Sequence, residues 1–164
     1  MARGKFEHES AGGELARLYA TGEAGPGVVV FHPWWGLNDD VTAYADRLAD
    51  AGFSVMAPDL VRGRQAATIE DAERIAASVD QPHADAVALA AIDRVAALAG
   101  AAPIGAVGFS LGAAWAVWCA AKRSSIGASV AYYGTLQGPS LASASVPVLG
   151  HFAEADPYEP DESV

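Results

Sequence analysis

One stretch restricts this chain more than any other. Ile104 to Val107 is a short apolar run, Gly108-Phe109-Ser110-Leu111-Gly112 fits G-x-S-x-G, and Ala113 to Lys122 is rich in alanine. The run reads as a buried strand and the alanine-rich segment as a helix. Strand, sharp turn and helix are the context in which this motif forms a nucleophile elbow. Residues two before and two after the serine must be small for strand and helix to approach. The turn lifts the Ser110 hydroxyl clear of the backbone at the mouth of the helix. There the N–H of Leu111 and the positive end of the helix dipole can stabilise an oxyanion. The competing reading is a glycine-rich strand-to-helix turn with an incidental serine, and the flanking strand and helix favour the nucleophile.

A length of 164 residues suits one domain, and 52% hydrophobic residues with 17 glycines suit a packed α/β core. The formal net charge of −10 argues against nucleic acid, whose phosphates require a basic face. The first nine residues, Met1 to Glu9, contain no apolar h-region, so no secretory signal is read there. No apolar run approaches the roughly 18 residues of a membrane span. The single cysteine, Cys119, has no partner for an internal disulfide and is expected to pack inside the helix after the elbow. Burial there would raise its pKa, which disfavours it as a nucleophile. A cytoplasmic setting is the default.

Along the chain, residues 5–10 and 14–20 read as two strands of a hairpin around Ala11-Gly12-Gly13. Val28 to Phe31 reads as a strand covered on both faces, followed by the loop His32-Pro-Trp-Trp-Gly-Leu-Asn38. A helix is expected from a cap at Asp39 or Asp40 to about Ala51, with Ala43, Leu48 and Ala51 inward and Gly52 closing it. Phe53 to Ala57 is the next strand, and Leu60 to Ala67 a loop bearing Arg62 and Arg64. Thr68 caps a short helix, and Asp80 and Pro82 open a longer one with Val87, Ala91, Val95 and Leu98 at helical spacing before Gly100. Ile126 to Tyr133 is a strand, Gly134 to Ser145 a small-residue loop, and Val146 to Phe152 the last strand. The alternation predicts an α/β fold with a mostly parallel sheet and helices on both faces. Ligands of such sheets bind beyond the carboxyl ends of the strands. Three loops at that edge carry the candidate residues: His32 to Asn38, Phe109 to Gly112, and Ala153 to Pro160.

Five pieces together give a family resemblance. They are His32-Pro-Trp-Trp-Gly-Leu-Asn38, Ala51-Gly-Phe with Ala57-Pro-Asp-Leu60, Val107-Gly-Phe-Ser-Leu-Gly112, Tyr132-Tyr-Gly134 and His151-Phe-Ala-Glu-Ala-Asp-Pro-Tyr158. In order and spacing the chain resembles the dienelactone hydrolase family of α/β-hydrolases from about residue 10 onward. The resemblance implies hydrolysis of an ester or lactone through an acyl-enzyme, with no cofactor or metal. Ser110 matches the nucleophile, Asp156 the acid that orients a catalytic histidine, and the backbone N–H groups of Trp34 and Leu111 the oxyanion hole. The type enzyme carries cysteine at the elbow and a glutamate where this chain has Pro33, and the two changes agree, since a serine does not need the partner a thiol does. A substrate-carboxylate arginine would fall at Gly63, flanked by Arg62 and Arg64, for which surface solvation is the favoured role. His32, Trp35, Tyr133 and His151 join them as possible pocket residues.

The resemblance places the catalytic histidine roughly thirty residues after the acid. The sequence ends eight residues after Asp156, at a helix-start signal, Pro160-Asp161-Glu162-Ser163. The expectation is therefore a single domain that is incomplete at its C-terminus, lacking a strand and a covering helix, with the histidine beyond residue 164. His32 and His151 are less favoured bases, and His8 and His83 read as surface residues. A metal site from His32, His151 and Asp156 has no recognisable ligand spacing. A bared sheet edge would favour self-association. Beside the hydrolase stand two alternatives. One is a non-catalytic binding protein with an aromatic pocket from Trp34, Trp35, Trp115, Trp118, Tyr132 and Tyr133. The other is an inactive fragment. For Trp115 and Trp118 a core role is preferred.

Overall fold

β-Branched runs separated by alanine-rich amphipathic segments build a seven-stranded sheet in the computed structural model, which describes residues 3–100, 102–135 and 145–159. Strands β1 (Lys5–Ala11) and β2 (Glu14–Thr21) form the expected hairpin. They are followed by β3 (Gly27–Phe31), α1 (Asp39–Asp50), β4 (Ser54–Pro58), α2 (Ile69–Ala77), α3 (Gln81–Ala99), β5 (Ile104–Phe109), α4 (Leu111–Lys122), β6 (Ile126–Tyr132) and β7 (Val148–His151). The spatial order is β1-β2-β4-β3-β5-β6-β7. Pairings from β4 to β7 are parallel, and β2 joins β4 antiparallel.

This order fixes the position of the site. The chain leaves β3 toward β4, then crosses back through α2 and α3 to β5 on the other side of β3. The direction of winding therefore reverses between β3 and β5. The loops after these two strands diverge to opposite faces and leave a crevice at their carboxyl ends. Those loops are His32–Asn38 and the turn at Ser110.

The two faces are covered unequally. Ala84, Ala88, Ala91, Ile92 and Val95 of α3 join Trp115, Ala116, Cys119 and Ala120 of α4 in the larger core, against Val29, Phe31, Ile104 and Ala106. Alanine on these helices lets them lie close to the sheet. On the other face α1 packs on β4 and β2, burying Val41 and Ala45 against Val28, Val30 and Val55. Beyond it, the β5–β6–β7 part of that face carries Phe109, Val130 and Tyr132, all only partly buried.

Several expectations are corrected. The N-cap of α1 is Asn38, whose side chain accepts from Val41 N–H at 3.2 Å, so the two aspartates fall in the first turn. Its inward positions are Val41, Ala45 and partly Leu48, whereas Ala43 and Ala51 are exposed. Position 41 sets the phase, with steps of four and three along one face. Gly52 at φ +96° ends the helix, with Gly52 N–H bonded to Ala49 O and Phe53 N–H to Leu48 O, a Schellman closure. Leu98 is exposed, because Val95 and Ala99 hold the inward phase of α3 against Gly27 of β3. His83 is not a surface residue. Its side chain is 7% exposed and lies 3.3 Å from Glu14. The last strand is shorter than expected, and every residue of β7 is exposed. Most of the Gly134–Ser145 loop and the Pro160–Ser163 segment lie outside the described residues. No helix among the described residues is long and apolar enough to cross a membrane.

Candidate active site

Ser110 is the one residue between β5 and α4, and its backbone is held at φ +49° and ψ −119°. A non-glycine residue at positive φ is strained and persists only where its surroundings impose it. Here three glycines do so. A Cβ on Gly108 would lie 2.2 Å from Gly112 O, one on Gly112 2.5 Å from Phe31 O, and one on Gly134 2.3 Å from Ser110 O. These approaches clamp the turn between the start of α4, the end of β3 and the end of β6. Ser110 N–H donates to Tyr132 O at 2.8 Å and Ser110 O accepts from Ala113 N–H at 2.8 Å. The Ser110 side chain makes no capping bond to α4 and is half-buried. It is thus presented at a helix N-terminus with the N–H of Leu111 beside it.

The other loops converge on this turn. Gly112 abuts the Phe31 and His32 carbonyls, which holds the start of the loop carrying Trp34 against the elbow. Trp34 meets Tyr158 edge-on at 5.2 Å between ring centres. Thr135, next to Gly134, donates its hydroxyl to Glu159 at 2.7 Å. Asp156 starts the turn holding these two contacts, its Oδ1 accepting from Tyr158 N–H at 2.9 Å and Glu159 N–H at 3.3 Å. The loops after β3, β5, β6 and β7 therefore meet at one edge.

His32 has a structural place here. It is fully buried, and Leu60 N–H donates to its Nε2 at 3.0 Å. A backbone N–H can only donate, so Nε2 is unprotonated and Nδ1–H donates to Pro33 O at 2.7 Å. Burial lowers its pKa, against smaller opposing effects of the Pro33 bond and the nearby Asp59 carboxylate. Both ring nitrogens are thus occupied and the ring is held neutral, so the buried His32 offers no lone pair to Ser110. Asp59, part of the Ala57–Leu60 piece of the family resemblance but given no role there, is 2% exposed and accepts from Val61 N–H at 3.1 Å and Gly63 N–H at 2.6 Å. It shapes the loop in which Arg62 takes φ +58°.

A cavity of ≈350 Å³ opens beside the elbow, lined by Trp35, Asn38, Tyr44, Arg47, Phe109 and Tyr133, among others. Trp35 and Tyr133 were legible as pocket residues, but Tyr44 and Arg47, one face of α1, were not. Burial raises the pKa of the Tyr133 phenol, keeping it a neutral donor. Phe109, Tyr132 and His151, paired across three strands, stack face to face at 5.0 and 4.7 Å, and Tyr44 closes on Phe109 edge-on at 5.0 Å. His151 thus ends an aromatic ladder on the exposed β7. Arg62 is committed to Glu14 and Asp80, and Arg64 to Val61 O and Ser78. Neither lines this cavity, and both serve the loop and helix packing around them. Trp115 is buried in the core, its Nε1–H bonded to Asp85 at 3.0 Å, and burial pushes the Cys119 thiol pKa up.

With this geometry, comparison with known proteins is decisive. The family model described as "Dienelactone hydrolase family" matches residues 15–164. The chain belongs to the dienelactone hydrolase family. A relative from Aquifex aeolicus strain VF5, provisionally named a carboxymethylenebutenolidase, is 31% identical, the match covering 96% of this chain and 74% of the relative. Among solved structures, m3DLH superimposes with a TM-score of 0.80 at 26% identity, covering 99% of this chain and 74% of that one. A dienelactone hydrolase-like promiscuous phosphotriesterase, P91, from metagenomic libraries gives 0.79 at 26% identity, covering 98% and 72%. The family and these superpositions place the chain among hydrolases of the α/β-hydrolase fold.

Proposed function

We propose that this dienelactone hydrolase family member cleaves an ester or lactone through an acyl-enzyme on Ser110. The observation that carries the reading is the strained Ser110 backbone, clamped by three close glycine approaches at the mouth of α4. The hydroxyl attacks the substrate carbonyl, and the oxyanion is held by the N–H groups of Leu111 and Trp34. Among the described residues neither N–H is committed to a turn, loop or side-chain acceptor. Collapse breaks the bond to the alcohol oxygen, which leaves with the proton taken from Ser110, and water then releases the acid. The proton passes through a histidine beyond residue 164, oriented by Asp156. The commitment of both His32 nitrogens and the stacking of His151 on Tyr132 support that assignment over either of those residues.

The test is the intact mass of the encoded protein after exposure to a fluorophosphonate. One adduct is expected in the wild type and none in Ser110→Ala. Labelling that survives the substitution, or never occurs, overturns the assignment.

We also infer self-association through β7. Among the described residues β7 is the edge strand, and all four of its residues are exposed, Leu149 at 56% and Val148 at 41%. Unpaired edge N–H and C=O groups template pairing with a second strand. Sedimentation of the 164-residue chain should depend on concentration, and Leu149→Lys should suppress that dependence. A wild type sedimenting as a monomer at every concentration removes the inference.

A further inference from the structure

Ser110 lies between two residues that line different cavities. Phe109 borders the ≈350 Å³ cavity with its Arg47, Asn38 and Tyr133 polar groups. Leu111 borders a second, of ≈210 Å³, with Ala114, Trp115, Trp118 and Gln81. The second is an apolar stripe. Positions 111, 114, 115 and 118 follow one helix face of α4 at steps of three, one and three. Ala114 is its floor, and the two indoles are its walls. The Trp115 ring is fixed through its Nε1–H bond to Asp85, and Lys122 stands over the Trp118 ring at 5.7 Å. Only Gln81, at the start of α3, brings a neutral polar group.

We propose that this groove receives the apolar half of the substrate, a group about the size of one aromatic ring, while the polar half lies on the Phe109 side. The proposal rests on Ser110 being the nucleophile. Three observations support it. The groove is lined by Leu111, the residue next to Ser110 and the proposed oxyanion donor, so a group seated there lies beside the reacting centre. Its size suits one ring, since an apolar cavity of about 150 Å³ already takes benzene. Its lining offers a polar or charged substituent no charged partner, whereas both Arg47 and Asp40 line the other cavity. The pair of cavities therefore discriminates orientation as well as size, and a bulky apolar ester with a polar opposite end is the favoured class.

Boronic acids test this without turnover. Ser110 Oγ adds to boron, the O–B bond forms, and the hydroxyl proton is released to solvent as boron becomes tetrahedral, a change read by ¹¹B NMR. Methyl-, butyl- and phenylboronic acids are titrated against the encoded protein. Affinity should rise by up to about fourfold per added methylene from methyl to butyl, with phenyl at least tenfold tighter than methyl. Ala114→Leu, which fills the floor, should bring that ratio below about twofold while methylboronic acid binds unchanged. Trp118→Ala, which opens the wall, should weaken phenylboronic acid several-fold and leave methylboronic acid alone. Equal affinities in the wild type, or a phenyl preference that survives Ala114→Leu, overturn the groove assignment and leave Ser110 standing. Absence of any tetrahedral boron signal overturns the nucleophile reading, and the groove assignment with it.

Discussion

Gly108→Ala is expected to lower stability by about 3 kcal/mol or more, a large fraction of the about 5–15 kcal/mol of an ordinary domain. The added Cβ would sit 2.2 Å from Gly112 O and 2.6 Å from Ala113 Cα. Both atoms are backbone of the first turn of α4, so no side chain can swing away. Relief requires α4 to lift from β5, taking Trp115, Ala116 and Cys119 out of the larger core. Overpacking usually costs about 1–3 kcal/mol when side chains can shift, and more when they cannot. Gly105→Ala in the same strand is the control. Its Cβ would meet only Val28 Cγ2 at 3.7 Å, an ordinary contact. That substitution should be neutral or gain up to about 1 kcal/mol through the unfolded chain. Urea midpoints of the two variants decide the matter, and equal midpoints would sink the close-packing account of the elbow.

Much of this architecture is legible in the sequence because the features with strong local causes are read locally. The elbow needs small residues two either side of Ser110, and the chain supplies Gly108 and Gly112. Thr68 and Asp80 cap their helices as the sequence suggests, each accepting from a backbone N–H three residues on. Legibility fails where a residue's role depends on a partner far along the chain. His32 sits at a strand end on the correct edge, which is all a sequence can report. That it turns inward onto Leu60 N–H is decided by how β4 lies against β3. Arg62 shows as a flanking charge, whereas its engagement with Glu14 and Asp80 joins the hairpin to the start of α3. The clamping role of Gly134 needs the β5–β6 pairing, which no motif contains. Asn38 was passed over as the α1 cap in favour of two adjacent aspartates, any of the three being chemically suitable.

The buried His32 gives the fold an acid-sensitive component. Its folded pKa lies below its unfolded value of about 6.5, because burial disfavours the imidazolium. Protonation would also oblige Leu60 N–H to face an N–H donor across 3.0 Å. Below pH 6.5 the unfolded chain binds the proton that the folded chain refuses. The contribution is therefore fully present above about pH 6.5 and is lost as pH falls from there toward the folded pKa, at up to about 1.4 kcal/mol per pH unit. Urea unfolding at steps between pH 7.5 and 5 should show this slope, and His32→Gln should reduce it, whatever its stability at neutral pH. The comparison isolates His32 because His8 and His151 are exposed and His83 remains in both proteins. Identical slopes would mean that His32 takes up its proton alike in the folded and the unfolded chain, so that loss of the Leu60 bond costs nothing, and the loop carrying Trp34 would then owe its position to Gly112 and the Phe31 carbonyl.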